Sequence, residues 1–403
     1  MPGNIHSLRS SIQIPRVFVR PMALILFAGL ILIVTGCSKK ESKKNVSRDF
    51  KEEFPLENSK FCSLKEGSVE RPYDPTPPFR FSRELLSEKL RDGGLKGWIH
   101  GAANSYNTYT FTYRSEDPAD EMAFFKSEQF SLVASNPEVK EALQSLSRHD
   151  MVKLHGVILE NQSPLVHLKI DRLEVLEKYP AALKNEYPFD PSPFIEKGSF
   201  DVLGQVHANV GSEEFGRALI LDWKDILIPI AVPKTLSAET KDLIRGDIIQ
   251  VSLKVVTSPH STKHFFLDES AKQPLKVVDS MRQCHGQQRT VEGYLVKFDQ
   301  SPAIRTDIYA IRVEDLNGIA RNFTLFPSNT DRDEFVRVFR AVSAKAKTAW
   351  TESALPALVI RNFSAKKGVL VKANGRINVV SSEQANAQIY LDSEENVTFS
   401  DRK

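Results

Sequence analysis

The sequence predicts a mainly β protein with short helices, built as tandem small five-stranded barrels. Three observations carry that prediction. The same order of elements (three strands, a helix, two strands) occurs three times, as a pattern rather than as sequence identity. Several short runs alternate apolar and polar residues, the period-two signature of a half-buried strand. Pro-rich or polar linkers fall between the copies, at 179–198 and 280–288.

Before the first copy, Ser82-Arg83-Glu84 opens a short helix that runs through Leu90 and stops at Gly93-Gly94. The first copy begins at Gly97-Trp98-Ile99-His100-Gly101 and continues in the alternating run Thr108-Tyr109-Thr110-Phe111-Thr112-Tyr113. Residues 130–133 form its third strand. Asn136 caps a helix with Pro137 at its first position, reaching about Leu146. Strands at 151–159 and 166–176 follow.

The second copy opens at Phe200-Asp201-Val202-Leu203-Gly204, with a hairpin at 218–232 turning on Asp222-Trp223-Lys224-Asp225. A short helix spans 237–244. Ile249, Val251, Leu253 and Val255 alternate with polar residues in the next strand, and 265–278 closes the unit as one strand or two. The third copy opens at Val291-Glu292-Gly293-Tyr294. Asn317-Gly318 marks a hairpin between 309–313 and 320–325. A long helix covers 331–350, and strands at 358–363 and 369–380 end the unit.

Three strands, a helix and two strands is the element order of the OB-fold, so each copy resembles that five-stranded Greek-key barrel. Arg148-His149-Asp150 and Arg245-Gly246-Asp247 each place a polar turn before the fourth strand. The third copy has Leu355-Pro356-Ala357 there instead. A different β-rich arrangement is the competing reading. The expected division is a signal peptide at 1–36, a tether with a short helix at 37–94, OB-like domains at 95–179, 199–280 and 289–381, and a polar tail at 382–403.

Arg9, Arg16 and Arg20 precede an apolar run at 22–34, and Val34-Thr35-Gly36-Cys37 follows. A basic start, a short apolar stretch and small residues before a cysteine resemble the lipobox of bacterial lipoprotein precursors. The resemblance implies cleavage after Gly36, acylation of the Cys37 thiol (palmitate-type chains) and attachment to a membrane lipid layer. Ser38 after the cysteine resembles outer-membrane sorting, which would place the protein in the cell envelope facing the periplasm. Lys39, Lys40, Lys43 and Lys44 could meet anionic headgroups or sit in a solvated linker.

The chain carries 54 Lys and Arg against 51 Asp and Glu, a net charge of +3. Three of those Arg and none of the acids lie in residues 1–36, so the expected mature chain is neutral. That balance argues against nucleic acid as a partner. Beyond Cys37 there are two cysteines, Cys62 and Cys284. They could form a disulfide or stand as two buried free thiols.

No P-loop, H-E-x-x-H, G-x-S-x-G or C-x-x-C occurs, and Ser364-Ala365-Lys366-Lys367 lacks the partner motifs of a serine-lysine enzyme. The histidines are scattered, and His260 and His264 sit too far apart in a strand to chelate comfortably. The sequence therefore names no catalytic residue, no metal ligand and no cofactor. Tyr109, Phe111 and Tyr113 share one side of a strand. They either point into the barrel or make a stacking face, with Tyr109 and Tyr113 as candidate ligand residues. The third unit is rich in Arg and Lys, among them Arg312, Arg321, Arg337 and Lys366, with acids interleaved as on a solvated face. The expected function is a non-catalytic binding or scaffold protein for an envelope protein partner. The alternative is a module for an envelope polysaccharide or other polyanion on an OB-like face.

Overall fold

In the computed structural model the chain divides into two compact units, Met1–Ser47 and Arg48–Lys403. The structure describes residues 55–63, 81–103, 108–114, 127–159, 166–179, 198–212, 216–257, 263–298, 307–360, 363–379 and 386–401, all in the second unit. The signal-like segment, Cys37 and the lysines after it lie outside the described residues.

Strands β1 (Leu95–Ala103), β2 (Thr108–Arg114) and β3 (Ser127–Ala134) pair antiparallel in sequence, and β4 (Met151–Leu159) and β5 (Val166–Glu177) complete the first barrel. Its ring runs β1-β2-β3-β5-β4, closed by β1 on β4, with β3 and β5 parallel. Helix α1 (Arg83–Glu88) starts where the Ser82 hydroxyl accepts the Leu85 N–H. Helix α2 (Pro137–Gln144) starts where Asn136 Oδ1 accepts the Val139 N–H at 2.8 Å. Leu86 and Leu90 from the first helical stretch and Val139 and Leu143 from α2 join Ile99, Phe111, Phe130 and Leu154 in one core.

The second barrel repeats this plan with β6 (Ser199–Ser212), β7 (Gly216–Trp223), β8 (Ile226–Val232), α3 (Ser237–Thr240), β9 (Ile248–Thr257) and β10 (Lys263–Leu267). The ring is β6-β7-β8-β10-β9, with β8 and β10 parallel. Strand β11 (Leu275–Asp279) pairs with β9 further along the same strand. The closing segment is thus two strands, split around Asp268.

In the third barrel β12 (Gln288–Phe298), β13 (Ile308–Glu314) and β14 (Ala320–Pro327) lead into α5 (Arg332–Glu352), which follows the four-residue α4 (Met281–Cys284). Short β15 (Leu358–Ile360) precedes the long β16 (Phe363–Asn378), and β17 (Ala387–Leu391) and β18 (Val397–Asp401) end the chain. β12 pairs with β16, and β14 pairs in parallel with β17. This corrects the sequence reading. The fourth strand is β16, and the fifth is β17, inside the segment expected to be a polar tail. Ala387, Ile389 and Leu391 are buried and alternate with Gln388 and Tyr390, but the polar residues on both sides hide so short a run.

Two local devices recur and show why the pattern repeats. Gly97, Gly204 and Gly293 occupy matching positions in each first strand. A Cβ there would lie 2.3, 2.8 and 2.3 Å from the carbonyl oxygens of Thr112, Asp222 and Arg312 on the neighbouring strand. In the first two barrels the turn before the fourth strand is held by an aspartate. Asp150 accepts the N–H groups of Ser147 (2.8 Å) and Tyr179 (2.9 Å), and Asp247 those of Ile244 (2.8 Å) and Met281 (2.7 Å). The preceding residue has positive φ in both, 67° at His149 and 97° at Gly246.

Replacing Gly293 with Ala should cost about 1–3 kcal/mol of stability, since the added methyl meets backbone that cannot give way. Urea unfolding of the variant against the parent reads this directly; an unchanged midpoint would remove the close-approach account.

Candidate functional site

The strands that supply the candidate aromatic face are covered on both sides. Tyr109 and Tyr113 are buried in the first core, Phe81 packs on Tyr113 at 4.6 Å between ring centroids, and Thr110 and Thr112 on the opposite side are buried as well. Tyr109 and Tyr113 therefore form no open stacking surface, which corrects that assignment. Inward aromatics bury more apolar area than the threonines could, so the strand turns them to the core. Burial pushes the Tyr109 hydroxyl up to about 12.

Part of the expected tether is docked. A 3₁₀ turn at Leu56–Ser59 leads to Phe61 and Cys62, and Cys62 forms a disulfide with Cys284, their Cα atoms 4.7 Å apart. Asp279, buried at the end of β11, gathers the segment. Its carboxylate accepts the N–H groups of Phe61 (3.0 Å) and Cys62 (2.9 Å) and pairs with Arg321 of the third barrel at 2.7 Å. Arg321 Nε also donates to the Gly246 carbonyl of the second barrel at 2.8 Å. Asn317 donates to the Ser59 hydroxyl at 2.8 Å, and Leu56 packs with Leu203, Ile248, Val278 and Ile319. Segment, second barrel and third barrel meet here.

The basic character of the third unit is partly internal. Arg312 is buried and pairs with Asp225 in the β7–β8 turn of the second barrel. Lys366 is buried too and donates to the Ser353 carbonyl at 2.8 Å. These side chains join elements instead of forming a solvated face. Interleaved acids gave no sign of which cations are inside. Arg337, by contrast, is exposed and pairs with Glu334 on its own helix.

A cleft of about 550 Å³ opens between the first and second barrels. Tyr109 (β2), Ser131 (β3) and Lys140 (α2) line it from one side, Arg217 (β7), His264 and Phe266 (β10) from the other. Arg217 is held in place, since its Nη1 donates to Asn209 Oδ1 at 3.0 Å. Asn209 in turn donates to the carbonyls of Thr240 (2.8 Å) and Leu243 (2.9 Å). No linear motif links these residues; sequence reasoning named only Tyr109 and His264, and neither as part of this cleft.

Among the described residues no group of three or more His, Cys, Asp or Glu is placed to hold a metal ion. Burial, with Arg148 and Arg245 nearby, holds His100 well below the usual histidine range. Burial brings His149 down to about 4. Both imidazoles are neutral near pH 7. Among the described residues no helix is long and apolar enough to cross a membrane.

No protein-family model matches the sequence, and no curated protein matches it. Among solved structures, the chain is similar to a murine DNA binding protein bound with ds DNA, at 13% identity and TM-score 0.17 over 46% of this chain and 99% of that one. A single-stranded DNA binding protein from Thermus aquaticus matches at 10% identity and TM-score 0.16, over 45% of this chain and 89% of that one. The Ifi202 HINa domain in complex with 20bp dsDNA matches at 10% identity and TM-score 0.17, over 46% and 96%. The expectation against nucleic acid is corrected accordingly. Proteins described as binding DNA are among the similar structures, and a neutral net charge is no ground for exclusion. None of these matches names a catalytic family.

Two outcomes follow from the junction. Asp279→Ala leaves the Arg321 guanidinium buried without its carboxylate, and about 3–5 kcal/mol of stability should be lost in urea unfolding. A loss under about 1 kcal/mol would show the pair to be dispensable. Asp247 is raised from 3.8 to about 6, chiefly by burial, against the lowering effect of its two N–H donors. Folding therefore favours its protonated form, and that contribution is present below 3.8 and lost as pH rises through about 6. Unfolding free energy measured from pH 3.5 to 7 should fall less steeply with rising pH in Asp247→Asn than in the parent; equal slopes would assign the pH dependence elsewhere.

Proposed function

We propose that the chain is a non-catalytic binding protein of a bacterial cell envelope, attached to a membrane by acyl chains on Cys37. The observation that carries this reading is the Cys62–Cys284 disulfide beside the buried Asp279–Arg321 pair. Disulfides persist in oxidising, exported compartments, so a covalent clamp at this junction supports export. The basic start, apolar run and Val34-Thr35-Gly36-Cys37 support the same route, with the thiol of Cys37 as acyl acceptor. Each buried methylene adds about 0.8 kcal/mol, so two or more chains anchor far more firmly than one. Ser38 supports an outer-membrane position facing the periplasm.

The barrels are the binding part of this reading. Of the ligand types the sequence leaves open, an anion suits the cleft wall that carries Lys140, Arg217 and His264. Fatty-acid labelling in a bacterium that processes lipoproteins tests the anchor. The parent chain should take up label and Cys37→Ala should take up none; a labelled variant would overturn the assignment.

A further inference from the structure

We infer that the cleft between the first and second barrels takes a compact, mainly apolar organic molecule that offers one oxygen acceptor to the Tyr109 hydroxyl. This deepens the binding reading above and rests on it. The hydroxyl carries the inference. Tyr109 is 1% exposed and borders the cleft, and its oxygen is buried with no hydrogen-bond partner among the described residues. Nearly every buried polar group in a folded protein is paired, because a hydroxyl stripped of water and given nothing in return is destabilising. Here one is left over at the wall of a cavity, where a ligand oxygen would complete it. Burial holds its titration up at about 12, so it stays a donor at neutral pH. The ring is no stacking platform; the hydroxyl is the part of Tyr109 that has something to offer.

The rest of the wall sets the kind of molecule. Leu132, Val133 and Leu143 from the first barrel face the cleft, and Val210, Val232 and Phe266 do so from the second. Arg217 and His264 border it too, but both are engaged within the protein, Arg217 with Asn209 at 3.0 Å. The tyrosine hydroxyl is the group left to pair with a ligand. The volume of about 550 Å³ lies within the range of sites for compact organic ligands, roughly 300–1,000 Å³, and far below what a folded partner needs. Ala218 and Ala231, cross-strand neighbours on β7 and β8, keep the second-barrel wall low and so leave this room. An apolar body gains by leaving water for such a surface, and a single donor then fixes its orientation. Ketone, ester and carboxylate oxygens share the acceptor chemistry that this donor selects.

The test uses the unit Arg48–Lys403, which is compact by itself and holds every described residue. It is titrated by ligand-observed NMR with 2-acetylnaphthalene, 2-naphthoate and 2-ethylnaphthalene, one aromatic body carrying a ketone, a carboxylate or no acceptor. One saturable site per chain is expected, with the ketone and the carboxylate each roughly tenfold tighter than the hydrocarbon, the worth of one satisfied hydroxyl. A carboxylate tighter than the ketone assigns a charged acceptor, and the reverse order a neutral one. Tyr109→Phe keeps the ring and should bring all three affinities together. Ala218→Phe, at a half-buried position on the opposite wall, leaves Tyr109 in place and should remove binding of all three. No saturable site, a hydrocarbon as tight as the ketone, or binding that survives Ala218→Phe would overturn the inference, and so would a ranking unchanged in Tyr109→Phe. Cys37 labelling reads the anchor independently, so failure here and failure of the envelope reading are told apart.

Discussion

The carboxylate of Asp279 is the constraint on which the arrangement of the second and third barrels depends. A buried anion is expensive, and it is tolerated only when hydrogen bonds and an opposite charge replace the water it has lost. Here those groups come from three separate parts of the chain. Two backbone N–H groups belong to the segment at 61–62, the guanidinium belongs to β14, and the carboxylate itself ends β11. None of the three can shift alone without leaving buried charge exposed to a low-dielectric surrounding. The disulfide beside it then makes the same connection covalent. Two residues on, the Met281 N–H reaches Asp247, so neighbouring positions in sequence secure both the junction and the turn into β9.

Local signals in the sequence were informative wherever one short motif sets one short structure. Asn136-Pro137 begins a helix because the side chain accepts an end N–H and proline needs no acceptor there. Asn317-Gly318 makes a hairpin because its glycine takes a φ of 73°. The order of elements was enough to place three barrels. What escaped was set by distant contacts. Strand β17 is five residues long and lies between β16, with which it pairs antiparallel, and β14, its parallel partner more than sixty residues earlier. The docking of 55–63 depends on groups over two hundred residues away. The cleft draws its lining from 109 through 266, with no spacing rule among them.

Charge shows the same division between what composition reveals and what folding decides. The third unit read as a solvated face with acids interleaved, yet Arg312, Arg321 and Lys366 meet interior partners, while Arg337 stays on an exposed helix. The cleft between the first two barrels, which no compositional excess marks, carries Lys140, Arg217 and His264 in its wall. A neutral total thus conceals an uneven distribution. The groups that fix the molecule's own geometry and those that face open space cannot be separated by counting.

The disulfide also determines how the chain would carry tension. Cys62 and Cys284 are separated by 222 positions, so the first and second barrels lie inside one covalent loop. A pull applied upstream of Cys62 and resisted downstream of Cys284 passes straight across the sulfur bridge. The two enclosed barrels bear none of it, and the load falls on the third barrel alone. Stretching the oxidised chain from its ends would therefore lengthen it by the third barrel and its flanks, while the enclosed pair would remain folded as slack.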